Sequence, residues 1–176
     1  MPREQWDALV RGEDCPTCHE VAGTIPDGDA GYFVADLTLS RLRLARNQFI
    51  PGYCVLLCHR HVREAYELDP DGRSRFFEDM LRAGRALEDA FGAIKLNFEI
   101  LGNAVPHLHA RIKPCYYGDP APNRSIDQNA GQVFLTPNEH AQRVDLIPST
   151  LESVKVTVPD TKQGNGVPYY GPSRKD

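Results

Sequence analysis

Apolar and polar positions alternate most cleanly over His107-Leu108-His109-Ala110-Arg111-Ile112-Lys113-Pro114. A period of two puts Leu108, Ala110 and Ile112 on one face of a strand and His107, His109, Arg111 and Lys113 on the other. Arg41-Leu42-Arg43-Leu44-Ala45-Arg46 alternates in the same way and predicts a second strand, and Tyr32 to Leu39 a third. Tyr53 to Cys58 is apolar throughout, the pattern of a central strand buried on both faces. Leu96 to Leu101 reads as one more, joined to the histidine strand by a short Gly102-Asn103 turn in a hairpin. The period changes over Phe76, Phe77, Met80, Leu81, Gly84, Leu87, Ala90 and Phe91, which form a helical apolar stripe suited to packing on a sheet. Asp69 is placed to cap this helix, Pro70 to open it and Gly92 to end it. Trp6, Leu9 and Val10 predict a short amphipathic helix over residues 2–11. Thr136-Pro137-Asn138-Glu139 is a capping-box pattern that starts a helix of about 136–147, which Pro148 would stop or kink. His140 on that helix reads as a surface residue. From Val158 onward Pro, Gly, Lys and Asp predict a loop-rich tail, disordered or laid across a neighbouring subunit.

Composition narrows the class. The 176 residues, 41% of them hydrophobic, suit one core-bearing domain with length to spare. We expect that domain over residues 1–120 and a C-terminal extension over 121–176. With 24 acidic and 20 basic residues the net charge is -4, which argues against a broad basic surface for a nucleic acid polymer. No apolar run reaches the roughly 18 residues of a membrane span. The stretch Met1-Pro2-Arg3-Glu4-Gln5-Trp6-Asp7 lacks the apolar centre of a signal peptide, so the expected location is cytoplasmic.

Cysteine and histidine carry the candidate chemistry. Cys15 and Cys18, three apart, can grip one metal ion from the same side, and five cysteines, an odd number, fit metal binding better than a disulfide framework. A redox pair or two simple thiols are the other readings of the same spacing, and no thioredoxin-like strand-to-helix context supports the redox one. Further ligands must come from His19, His59, His61, His107, His109 and His140. His107 and His109, if in strand, stand about 7 Å apart on one face. That distance suits two groups reaching one anionic substrate, or one binding a metal while the other does chemistry. Two alternating histidines can also be structural. Backbone amides freed in the turn after Gly102 would lie beside them, where an anion could use them.

Gly102-Asn103, then Val105-Pro106-His107-Leu108-His109 and the closing Pro114, resemble the signature of the histidine triad family of nucleotide hydrolases and transferases. Asn47-Gln48-Phe49-Ile50-Pro51-Gly52-Tyr53-Cys54-Val55-Leu56-Leu57, leading to His61-Val62, resembles that family's second block. The likeness covers about residues 13–120. Two departures stand out: Arg111 replaces the third histidine, and Cys115 follows the closing proline where an arginine is common. The resemblance implies an α+β fold, an antiparallel sheet of about five strands with one main helix packed across it, and a homodimer formed by sheet extension. It implies a structural zinc on Cys15, Cys18, His61 and His107, with His59 the competing ligand. It implies His109 as nucleophile and Arg111 as the group on the phosphate, Asn103, Ala104 and Val105 as the phosphate cradle, and Asn47 at the ribose hydroxyls. Lys113 would sit at the rim or face solvent. The implied reaction is hydrolysis or transfer at the α-phosphate of a nucleotide, with a dinucleoside polyphosphate as leading substrate. A catalytically weak nucleotide binder and a nucleotidyltransferase with an acceptor other than water are the alternatives.

Overall fold

In the computed structural model, residues 1–28, 31–120 and 124–153 are described, without the side chains of 148–150, 152 and 153. The strands are β1 (Tyr32–Asp36), β2 (Ser40–Leu44), β3 (Cys54–Cys58), β4 (Lys95–Glu99) and β5 (His109–Cys115). They form one antiparallel sheet in the order β1-β2-β3-β5-β4, so the all-apolar β3 lies at its centre. The helices are α1 (Arg3–Val10), α2 (Pro16–Val21), α3 (Pro70–Phe91) and α4 (Pro137–Ser153).

The register explains how the alternation sorts the two faces. Leu42, Leu56 and Ala110 align across three strands, as do Leu44, Cys54 and Ile112. All six are fully buried against Phe76, Met80, Ala83 and Leu87 of α3. Burying each leucine or isoleucine contributes about 1.5 to 3 kcal/mol. The intervening residues point to the opposite face, in the rows Arg43–Val55–Arg111 and Arg41–Leu57–His109. The site described below stands on that face.

α3 begins and ends as its sequence demands. The Asp69 side chain accepts the Gly72 N–H at 2.6 Å, Pro70 occupies the first turn, and Gly92 closes the helix with a left-handed φ of 65°. Gly84 lets Phe98 of β4 approach, since a Cβ there would lie 2.6 Å from the Phe98 ring. Buried Asp79 ties α3 to the β1–β2 turn by accepting from Leu39 N and Ser40 Oγ, both at 2.7 Å, and from Thr38 N at 3.1 Å.

Four expectations are corrected. β4 and β5 do pair, but nine residues, 100–108, separate them instead of a tight Gly-Asn turn, and β5 begins only at His109. The capping box forms, with Thr136 N and Oγ1 donating to Glu139 at 2.8 and 2.7 Å, yet α4 runs through Pro148 to Ser153. Ile147 and Leu151 on that helix are buried in the main core, and this packing carries the helix past the proline. His140 is 1% exposed and stacks on Tyr32 with ring centroids 3.8 Å apart, so it faces β1 and not solvent. Lys113 is buried too. Its Nζ lies 2.8 Å from Glu99 Oε2 and 3.1 Å from the Ile126 carbonyl oxygen. The tail from Val158 falls outside the described residues.

Candidate functional site

Two features meet around the start of β5. The first is a cluster of Cys15, Cys18, His61 and His107, whose ligand atoms all lie within 4.8 Å of one another. Cys15 is the N-cap of α2 and Cys18 lies one turn along it, so both thiols leave the helix on one side. His61 follows β3 after a bend, and His107 immediately precedes β5. His59 is elsewhere, 3.2 Å from Asp36 Oδ1, which removes it as the competing ligand.

Backbone carbonyls set the tautomers. His61 Nε2 lies 3.1 Å from the Val10 carbonyl oxygen, and His107 Nε2 lies 2.8 Å from that of Cys58. Each Nε2 therefore carries the proton, and each Nδ1 presents a lone pair. The two Nδ1 atoms are 3.2 Å apart. Two lone pairs facing each other at that distance repel unless a cation lies between them. Cys18 Sγ is 3.3 Å from His61 Nδ1 and 3.5 Å from His107 Nδ1, and Cys15 Sγ is 3.6 Å from His107 Nδ1. A zinc tetrahedron has N···N edges of about 3.3 Å and S···N edges of about 3.6 Å. The four residues thus fit zinc in donor type and in edge length. With all four bound, zinc would have no open position and would serve a structural role. Burial pushes the His107 ring down to about 4 and the Cys18 thiol up to about 11. The ring is thus already deprotonated for a metal at neutral pH, whereas the thiol must lose its proton to bind one.

The second feature is a cavity of about 500 Å³ on the face of the sheet opposite α3. Its floor is Ala45, Val55 and Leu57, and one end holds His109 and Arg111 beside Asn103, Ala104 and Val105. His109 Nδ1 lies 2.8 Å from the carbonyl oxygen of His107, so Nδ1 carries the proton and Nε2 is the basic nitrogen. Burial, together with the Arg111 charge, holds the ring below its ordinary value. The imidazole is therefore neutral at neutral pH. A second cavity, of about 540 Å³ between β4 and the segment around Tyr116, has no histidine in its lining.

The structure brings five of the expected residues, His109, Arg111, Asn103, Ala104 and Val105, to one cavity and the four metal candidates to one cluster. It does not bring Asn47 there. Asn47 Nδ2 donates to the carbonyls of Gln128 and Gly131 at 3.0 and 2.8 Å, and its Oδ1 accepts from Phe49 N and Val133 N. Every polar atom of that side chain is committed to holding segment 128–133, which corrects the ribose assignment.

The opposite wall was not anticipated. It consists of Thr17 and Glu20 from α2, with Arg43 from β2 and Tyr53. Thr17 and Glu20 are three apart on a helix, and Arg43 shares strand parity with Arg41. Those spacings were the available signals, once α2 was known to reach the sheet. Arg43 is 3% exposed, with Nη2 donating to Asp27 Oδ1 at 3.0 Å and to the Gly31 carbonyl at 2.7 Å. Its Nε lies 3.8 Å from Glu20 Oε2 and is buried without a hydrogen-bond partner among the described residues. Burial raises the Glu20 carboxyl, and the Arg43 charge opposes the rise.

The fold and the paired sites define a class, an α+β protein with an open five-stranded antiparallel sheet. Residues 31–115 match the family model described as HIT domain, the histidine triad domain. Over those residues the chain carries a HIT domain. Solved structures share the fold. A histidine triad protein from Sinorhizobium meliloti 1021 is 24% identical, with a TM-score of 0.64 over 69% of this chain and 90% of that one. A hypothetical histidine triad nucleotide-binding protein from Sulfolobus tokodaii strain7 is 20% identical, with a TM-score of 0.64 over 85% and 100%. A Zn-bound histidine triad family protein from Mycobacterium smegmatis is 19% identical, with a TM-score of 0.58 over 80% and 94%. No curated protein sequence matches the chain significantly. Among the described residues no helix is long and apolar enough to cross a membrane.

Proposed function

We propose that the protein cleaves or transfers nucleotides at the α-phosphate, with a dinucleoside polyphosphate as leading substrate and His109 as nucleophile. One observation carries the reading: the Nδ1–H of His109 is engaged by a backbone carbonyl, which leaves a neutral Nε2 in the cavity that Arg111 also lines. Nε2 attacks the α-phosphorus. The bond from phosphorus to the bridging oxygen breaks, and the leaving phosphate takes the electron pair. Water, or a hydroxyl acceptor in the transferase version, then cleaves the phosphorus–nitrogen bond, and its proton goes to solvent. Arg111 forms charge-assisted hydrogen bonds to the non-bridging oxygens as negative charge builds. It cannot hand a proton to the leaving group, because a guanidinium stays protonated. Substrates whose leaving group needs no proton, such as pyrophosphate-linked nucleotides, therefore suit this site better than phosphoramidates. The nucleotide-binding description of the Sulfolobus relative supports the substrate class.

The zinc suggested by the donor set, and borne by the mycobacterial relative, would pin α2 and His107 and so hold the backbone from which His109 hangs. The cytoplasm, a reducing compartment, suits two thiols kept available for a metal. A homodimer through the β4 edge fits the exposed apolar residues Leu81, Ile94, Phe98 and Ile100 around that strand.

Steady-state turnover on a panel of dinucleoside polyphosphates, nucleoside phosphoramidates and nucleotide sugars tests the proposal. The expected result is turnover of the pyrophosphate-linked substrates that disappears in His109→Ala. The fixed cation at position 111 favours one competing reading, a nucleotide binder without turnover. That reading predicts affinity without product, and affinity left intact in His109→Ala.

A further inference from the structure

The far wall of the cavity is charged, and the mechanism uses none of it. Arg43, Val55 and Arg111 share one row across three strands. Neighbouring strands are about 4.8 Å apart, so Arg43 and Arg111 stand about 10 Å apart along the floor. That is roughly the distance from an α-phosphate to the far edge of its base. A phosphate held at His109 and Arg111 would lay a flat ring over Val55 and bring its edge to Glu20.

Glu20 is placed to read that edge. Its side chain is 18% exposed, and its carboxylate oxygens accept no hydrogen bond among the described residues. Arg43, itself fixed by Asp27 and the Gly31 carbonyl, stands 3.8 Å away, close enough to favour the charged carboxylate and too far to occupy its lone pairs. Such a half-buried carboxylate lacks donors.

We infer that Glu20 selects guanine as the base of the bound nucleotide, its two carboxylate oxygens accepting the N1–H and N2–H of the ring. This rests on the nucleotide reading above. A carboxylate is acceptor-only, with two oxygens side by side. Guanine is the common base whose pairing edge offers two adjacent donors. Adenine and cytosine set a ring lone pair beside their amino group, facing the second oxygen, and uracil offers one N–H between two carbonyls.

Calorimetric titration of the zinc-loaded protein with GMP, IMP, AMP and UMP tests the inference. GMP should bind roughly 10- to 100-fold tighter than AMP, with IMP, which lacks the second donor, between them. In Glu20→Gln the GMP advantage should fall to threefold or less while AMP affinity changes little, which also shows that the variant is folded. Equal affinity of the wild type for GMP and AMP overturns the inference, as does a GMP preference that survives in Glu20→Gln, or an equal loss of both ligands there. If none of the four nucleotides binds the wild type, the nucleotide reading falls with it. If they bind without base preference, only the role of Glu20 falls.

Discussion

His107 and His109 are two residues apart, and the backbone assigns them opposite tautomers. A carbonyl from β3 holds His107 by Nε2 and turns its Nδ1 toward two cysteines and a second imidazole. The carbonyl of His107 itself holds His109 by Nδ1 and turns its Nε2 into the cavity. Two like side chains are therefore set up for unlike chemistry, one facing a set of metal-ligating atoms and one presenting a free nitrogen to the cavity. Strand parity alone would have given them the same job. The difference lies in which carbonyl each ring meets, a property of the fold and not of the residue type.

The comparison breaks most visibly in activity. His109→Ala should lower turnover by about 10⁴-fold or more while leaving the melting temperature within about 2 °C, because the ring lines a cavity and supports no core. Paired thermal melts and steady-state kinetics check this. His107→Ala should do the reverse first: loss of bound zinc and a fall in melting temperature on the order of 10 °C. Chelation of wild-type protein should reproduce that fall, as read by elemental analysis and calorimetry. Weaker nucleotide binding should follow, because α2 carries both Cys18 and the cavity wall. Next comes Arg111→Ala, with a loss of about 10²-fold in kcat, the usual cost of removing one donor to a developing negative charge.

The smallest effect concerns Lys113, which shares parity with His109 and Arg111 but has no part in the chemistry. Burial would raise the Glu99 carboxyl, yet hydrogen bonds from Lys113 and Ser125 outweigh it and hold the group below its ordinary value. A carboxylate lowered by folding contributes stability above its unfolded value, near 4.3, and loses it as the pH falls through the folded value. Glu99→Gln should therefore cost about 1 to 2 kcal/mol at pH 7 and flatten the decline in stability between about pH 5 and 3. Urea melts across that range measure it.

Much of this was legible in the chain because it is local. The alternation over Leu108, Ala110 and Ile112, the caps at Asp69 and Gly92, and the cysteine spacing all act within a few residues. What escaped depends on partners far away in sequence. Asn47 is committed to carbonyls some eighty residues downstream. His140 is buried by Tyr32, and Lys113 by Glu99 and the carbonyl of Ile126. Glu20 reaches the cavity only because α2 is packed where β2 presents Arg43. Pro148 carries a strong local stop signal, and core contacts at Ile147 and Leu151 override it.

The most direct test is to trap the intermediate. Protein mixed with a labelled dinucleoside polyphosphate and quenched in alkali, where a phosphorus–nitrogen bond survives, should give one nucleotidyl adduct by mass spectrometry, on the peptide carrying His109. The adduct should form and decay at rates that match turnover and be absent from His109→Ala. Turnover without an adduct, or an adduct on His107 or another residue, would contradict the assignment of His109 as the nucleophile.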